Sequence, residues 1–233
     1  MLKGLIFRFL KHKRIAPFAL RSALKLHNGL YSLSGELAKV VNGGRHPKHH
    51  LLRYQQWFSD HIEPGWVVLD VGSNTGSMAA LMAVKARHVY GIEIVSKFVE
   101  LARGSFGANN LEFLCGDATA FDYSACRPID CVTLSNVLEH IQNRSEFLMM
   151  LRRRLRWQNP AQCRFLIRVP TIERDWLAPY KKQLQIEYRL DRTHEIEYTR
   201  EEFLTEVSEA GLCIETFDVR FGEFYAVCKG RAA

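Results

Sequence analysis

Residues 66–76 read WVVLDVGSNTG, a nearly continuous apolar run that breaks into a bend carrying Gly72 and Gly76. An apolar run of that length closed by glycines is a buried strand leaving through a tight turn. The stretch that follows, SMAALMAVKA (77–86), has helical spacing. The alternation then repeats through HVYGIEI (88–94), SKFVELARGSF (96–106), LEFLC (111–115), DCVTLS (130–135), SEFLMMLRRRLRW (145–157) and CRFLIRV (163–169). Strand and helix in this order demand right-handed crossovers and a parallel sheet covered on both faces. A helix near 199–210 closed by Gly211 follows, then CIETFDVRF (213–221) and FYAVCKG (224–230), joined through Gly222 as an antiparallel pair. The expected fold class is α/β, a doubly wound Rossmann-like sheet of seven strands, mostly parallel with an antiparallel terminal strand, and an N-terminal helical extension.

Outward from this centre, the chain divides into a basic helical extension (1–47) and an α/β domain (48–233), with a substrate-region insertion at about 170–199. At 233 residues, 47% hydrophobic and 24% charged, with 15 Gly and 7 Pro, the chain is long enough for a full core, and its composition excludes disordered or collagen-like classes. The six cysteines show no CxxC pair, so reduced thiols are expected, with Cys115, Cys131, Cys163 and Cys213 in or beside apolar runs. No apolar run is long enough for a membrane span. Arg8 interrupts the first ten residues and KHKR follows where a cleavage site would stand, so no export signal is read and a cytoplasmic location is expected.

Charge is unevenly placed. Residues 1–35 hold Lys3, Arg8, Lys11, Lys13, Arg14, Arg21 and Lys25 and no acid, which accounts for the whole net charge of +7. Apolar residues alternate with them, as in short amphipathic helices interrupted at Pro17. The plain reading is an apolar face docked on the body; the alternative partner is an anionic surface such as lipid head groups at the inner membrane, an acidic glycan or nucleic acid. Further on, KHHLLRYQQWFSDHI (48–62) carries apolar residues at helical spacing up to Pro64-Gly65. Lys48, His49 or Tyr54 are candidates for closing over a ligand.

A doubly wound sheet binds its ligand beyond the carboxyl ends of its strands. Those ends here offer the bend Asp70-Val71-Gly72-Ser73-Asn74-Thr75-Gly76, then Glu93, then Asp117, then Ser135-Asn136-Val137-Leu138-Glu139-His140. Glycines let the backbone approach a ligand at a helix N-terminus, and a carboxylate at the second strand end can accept both hydroxyls of a ribose. Each acid alone could equally be a cap or a surface group. A nicotinamide fingerprint requires three spaced glycines, and Gly72 and Gly76 do not supply it.

The segments VVLDVGSNTG, VYGIEI, LEFLCGDAT and DCVTLSNVLEHI resemble the ordered motifs of class I S-adenosylmethionine-dependent methyltransferases, especially the broad type 11 group, over about residues 48–225. The resemblance implies S-adenosyl-L-methionine as cofactor, its methionine part on Asp70, Gly72 and Gly76, its ribose on Glu93 and its adenine amine on Asp117. Ser73, Asn74, Ala118, Ser135 and Asn136 would line the same site. Many relatives have Cys-Gly where this chain has Ser73-Asn74. Methyltransferases acting on nucleobase amines carry a Pro-Pro-aromatic segment after the fourth strand, absent here, so a small-molecule or glycan hydroxyl acceptor is favoured and nucleic acid disfavoured.

A hydroxyl gains from a nearby base, for which His140 and then His194 are the catalytic candidates, each with the alternative of a histidine that merely packs or bonds to backbone. In ubiquinone-pathway and small-RNA O-methyltransferases a similar Glu-x-x-Glu-His stretch binds a divalent metal. Asn136 stands at its first position here, so such a site would need His194 or another distant group, and no metal is assigned. A non-catalytic S-adenosylmethionine-binding protein and an RNA methyltransferase using the basic arm are the remaining alternatives.

Overall fold

The structure is a computed structural model and describes residues 11–231. In chain order its main elements are α1 (Ala16–Val41), α2 (Lys48–Leu52), α3 (Tyr54–Asp60), β1 (Val67–Val71), α4 (Ser77–Ala83), β2 (His88–Glu93), α5 (Ser96–Ser105), β3 (Leu111–Cys115), β4 (Cys131–Ser135), α6 (Arg144–Arg154), β5 (Arg164–Pro170), α7 (Leu177–Gln183), α8 (Arg200–Glu209), β6 (Leu212–Arg220) and β7 (Glu223–Gly230). The chain forms two compact units. One joins the described residues up to Leu51 to Asp175–Leu190, and the other holds Leu52–Arg174 and Asp191 onward.

The larger unit is a seven-stranded sheet in the order β3-β2-β1-β4-β5-β7-β6. β1 pairs in parallel with β2 and β4, β2 with β3, and β4 with β5, whereas β7 runs antiparallel to both β5 and β6. β1 and β2 are buried at every position, as their near-continuous apolar runs require of strands covered on both faces. One face packs Val68, Val89 and Leu166 against Phe58, Met82 and Ala102. The other packs Leu69, Val132 and Ile167 against Leu148, Phe203 and Val207. α8 starts at a capping box, in which Thr199 and Glu202 satisfy each other's backbone amides. The order of strands reverses between β1 and β4, which opens a crevice at their carboxyl ends.

In the smaller unit, α1 is one continuous helix of 26 residues with Pro17 in its first turn. The expected interruption at Pro17 is corrected: proline has no N–H to lose there and its fixed φ starts a helix. Residues 1–10, also expected in amphipathic helices, lie outside the described residues. Asn28 Nδ2 donates to Glu187 O at 2.7 Å, Lys181 Nζ to Asn28 Oδ1 at 2.7 Å and Arg21 Nη1 to Leu184 O at 2.7 Å, tying α1 to the segment around α7. That segment, part of the insertion expected at about 170–199, contains α7, whose start is marked by Asp175 accepting from the Ala178 amide at 2.9 Å and by Pro179 in the first turn.

The helical run at 48–62 is two helices, broken at Arg53, whose φ is +49°. Cys131 and Cys163 are buried, but Cys115 is exposed and Cys213 only half-buried, because β3 and β6 are the sheet's two edge strands. All six thiols are free. Among the described residues, no helix is long and apolar enough to cross a membrane.

Candidate active site

The crevice between β1 and β4 widens into a cleft of about 1190 Å³ in the larger unit. Its wall gathers Gly72, Asn74, Glu93, Asp117, Ala118, Asn136 and His140, seven of the twelve cofactor-binding and catalytic candidates, and none of Lys48, His49 and Tyr54. Asp70, Ser73, Gly76, Ser135 and His194 are not part of that wall.

The bend after β1 is shaped by close approach. Gly72 has φ +69°, and a Cβ there would lie 2.6 Å from Val137 Cγ2. Gly76, at φ +82°, has Phe113 in the same relation at 2.5 Å. Between them Asn74 also takes a left-handed φ of +49°, which asparagine tolerates better than most residues. Its own Oδ1 accepts from the Thr75 amide at 2.8 Å. Ser73-Asn74 therefore holds the bend without a third glycine.

Glu93 braces that bend from the end of β2. Its Oε2 accepts from the Asn74 amide at 3.0 Å and its Oε1 from the Val95 amide at 2.9 Å. Each oxygen retains a second lone pair for a ligand hydroxyl. One strand over, Asp117 turns the chain after β3, where its Oδ1 accepts from the Thr119 amide at 2.9 Å and the Thr119 hydroxyl at 2.8 Å. The parallel register that places Glu93 opposite Cys115 sets both acids on the same rim.

Behind the bend, Asp70 is wholly buried. Its Oδ1 accepts from Thr133 Oγ1 at 2.7 Å, and its Oδ2 has no partner. Burial raises its pKa, the Thr133 hydroxyl pulls it back and Glu93 adds to the rise, so that it reaches about 7. Asn136, at φ +55°, likewise has a buried Oδ1 without a partner. Unmatched acceptors beside a bare glycine backbone suit a ligand that brings its own donors.

A second group lies where β4 runs into the short 3₁₀ turn Leu138–His140. Glu139 is fully buried with both carboxylate oxygens unpartnered, a feature that the sequence pattern did not single out. Burial pushes its pKa up to about 8, countered in part by its own backbone amide and Arg168. The rings of His140 and His194 meet edge to face, with centroids 4.7 Å apart. His140 Nδ1 lies 3.1 Å from Thr193 Oγ1, and His194 Nδ1 lies 3.1 Å from Glu197 Oε1. Glu197 is itself paired with Arg174. Burial and then His194 lower the His140 pKa, so its ring is neutral and able to accept a proton at neutral pH. Ligand atoms of Glu139, His140 and His194 all lie within 4.8 Å of one another, so these three residues could hold a metal ion.

Arg168 closes the floor next to Ser135, to whose hydroxyl Nη1 donates at 3.1 Å. It makes a two-pronged pair with Glu223 at 2.6 Å for each bond, and its guanidinium sits 4.1 Å from the centroid of the Tyr54 ring. Tyr54 thus has a structural partner in this pair.

Residues 69–158 match the model of the type 11 methyltransferase domain. This match and the sheet order agree with the expected resemblance to class I, S-adenosylmethionine-dependent methyltransferases. Over 134 residues the chain is 31% identical to the protein arginine N-methyltransferase PRMT10 of Arabidopsis thaliana, covering 56% of this chain and 33% of that protein. Over 83 residues it is 35% identical to protein-L-isoaspartate O-methyltransferase 2 of a Polaromonas species, covering 34% of this chain and 39% of that one. The chain therefore spans well under half the length of these curated relatives. In fold it is similar to magnesium protoporphyrin IX methyltransferase from Synechocystis with bound S-adenosylhomocysteine, at a TM-score of 0.58 and 18% identity, covering 79% of this chain and 83% of that one. The residues around the cleft fit such a ligand: unmatched carboxylate and amide oxygens for an ammonium group, a carboxylate with spare lone pairs for ribose hydroxyls and a glycine bend that a side chain would fill.

Proposed function

We propose that this chain transfers a methyl group from S-adenosylmethionine to a hydroxyl of a small-molecule or glycan acceptor. The observation that supports it is the meeting, in one cleft, of the glycine bend, Glu93 and Asp117 with the His140 side chain. In this reading Asp70 and the backbone at Gly72 take the methionine end, Glu93 the ribose hydroxyls and Asp117 the adenine amine. Ser73, Asn74, Gly76, Ala118, Ser135 and Asn136 shape the surrounding wall.

The donor supplies a methyl carbon on a positively charged sulfur. The acceptor oxygen bonds to that carbon as the carbon–sulfur bond breaks, its electron pair passes to sulfur, and S-adenosylhomocysteine leaves. The hydroxyl proton goes to His140, which is uncharged beforehand, with His194 holding its ring edge-on. Positioning dominates such a displacement, because charge is lost rather than developed along the path. The relatives named above act by their names on different acceptor groups, so the acceptor is assigned here on the histidine base alone.

Titration calorimetry with S-adenosylmethionine tests the first half of the reading. Binding that weakens at least tenfold in Glu93→Ala supports it, and absence of binding to the unmodified chain overturns it. Release of S-adenosylhomocysteine with a hydroxyl acceptor, lost in His140→Ala, tests the second half. A second reading gives Glu139, His140 and His194 a divalent cation, favoured by the two unpartnered oxygens of Glu139. Turnover abolished by a chelator and restored by magnesium would select it over a plain histidine base.

A further inference from the structure

We infer that the outer face of α1 is a docking surface for an anionic lipid bilayer, on which the helix lies without crossing. Leu26, Leu30, Leu33, Leu37, Val40 and Val41 are between 53% and 89% exposed. At about 100° per residue these six fall in a sector roughly 100° wide. Leu24, which is buried, and Asn28, which bonds to Glu187, point about 150° or more from its middle. The inner face of the helix is therefore already used, and within that unit the outer apolar stripe is left open to solvent. A contiguous exposed stripe of this kind is an interaction surface.

Charge selects the occupant. No acid precedes Glu36, and the first 35 residues carry the full +7 of the chain. Lys11, Lys13 and Arg14 are exposed immediately before the helix, and Lys25 is exposed on its flank. A second copy packed side by side would set this charge against itself, whereas anionic headgroups neutralise it. An apolar stripe with cationic flanks is the composition of a helix lying in the plane of a membrane interface. The helix also fails the apolar length needed to span one. No residue of the stripe lines the strand-end cleft, so this inference stands whether or not the proposed methyl transfer does.

The test is co-sedimentation of the full chain with vesicles of equal parts phosphatidylglycerol and phosphatidylcholine, against vesicles of phosphatidylcholine alone. The expected result is at least tenfold stronger partitioning onto the anionic vesicles, falling with added salt. Each cation near such a surface contributes about fivefold, so Lys13→Glu with Lys25→Glu lowers partitioning by more than tenfold. Leu30→Asp with Leu37→Asp does the same, and because both sites are exposed its circular dichroism stays unchanged. Equal partitioning onto neutral vesicles, or none onto either, overturns the inference. So does a dimer in sedimentation velocity that the leucine pair abolishes while no vesicle binding is seen, which would make the stripe a seam between copies.

Discussion

Asp70→Asn separates what the cleft does for a ligand from what it costs the fold. Asp70 is buried in β1 with one oxygen bonded to Thr133 and the other unmatched, and its pKa rises from the ordinary 3.8 to about 7. Between those values the folded protein holds a proton that the unfolded chain has released. The stability this confers is complete below about pH 4, is lost as pH rises through about 7, and is flat beyond. Three pH units at about 1.4 kcal/mol each amount to roughly 4 kcal/mol. Of that swing, about 2 to 3 kcal/mol falls between pH 5 and 7.

Asparagine cannot ionise. Its oxygen keeps the Thr133 bond, while its Nδ2 has no acceptor at the vacated Oδ2 position, at a cost of about 1–3 kcal/mol. Urea unfolding from pH 5 to 8 should therefore show Asp70→Asn gaining about 2 to 3 kcal/mol on the unmodified protein across that interval, because only the latter loses stability from this site. Calorimetry at pH 8 should show at least tenfold weaker binding of S-adenosylmethionine, whose ammonium group has lost its carboxylate. A difference between the two proteins that stays constant from pH 5 to 8 would refute the argument that Asp70 is held protonated by burial.

Gly72→Ala should destabilise by about 2 kcal/mol or more in thermal unfolding, since alanine at φ +69° costs roughly 1–2 kcal/mol before the clash with Val137 is added. It should also weaken cofactor binding at least tenfold. Arg168→Met leaves the Glu223 carboxylate buried without its partner and should lower stability by about 3–5 kcal/mol, read as a fall in the urea midpoint. On the divalent-cation reading, Glu139→Gln should lower turnover about a hundredfold with cofactor affinity within twofold, whereas a plain histidine base leaves turnover unchanged. Because the pKa of Glu139 is raised to about 8, its contribution to stability is lost as pH climbs to that value, and the glutamine variant should gain on the unmodified protein between pH 5 and 8.

The centre of the sheet was legible because buried parallel strands write themselves as mostly apolar runs, and β1, β2, β4 and β5 do so apart from a few polar positions such as Asp70, Thr133 and Arg168. The placement of Glu93 and Asp117 on one rim followed from the same alternation, since Glu93 ends β2 and Asp117 lies two residues past the end of β3. Glu139 was legible only as part of an incomplete metal-binding motif, and its burial was hidden for the opposite reason. Its sequence neighbours are those of a surface turn, and only the fold reveals that Arg168, Glu197 and Glu223 surround a carboxylate shut away from water. The contact of His140 with His194 spans 54 positions and rests on a loop without periodicity. In the smaller unit, Pro17 was taken as a break when its position in the first turn made it a start. Arg53 takes its left-handed conformation without glycine or asparagine to announce it.

The position of β7 between β5 and β6 has a consequence for assembly. β6 is made first but has no neighbour to join until Glu223–Gly230 emerges from the ribosome and inserts beside β5. Any translation product stopped before Glu223 leaves the hydrogen-bonding edge of β5 uncovered and β6 unattached, a nascent species prone to pairing with strands of other chains. Chaperone dependence during synthesis should therefore concentrate in the window between the two strands.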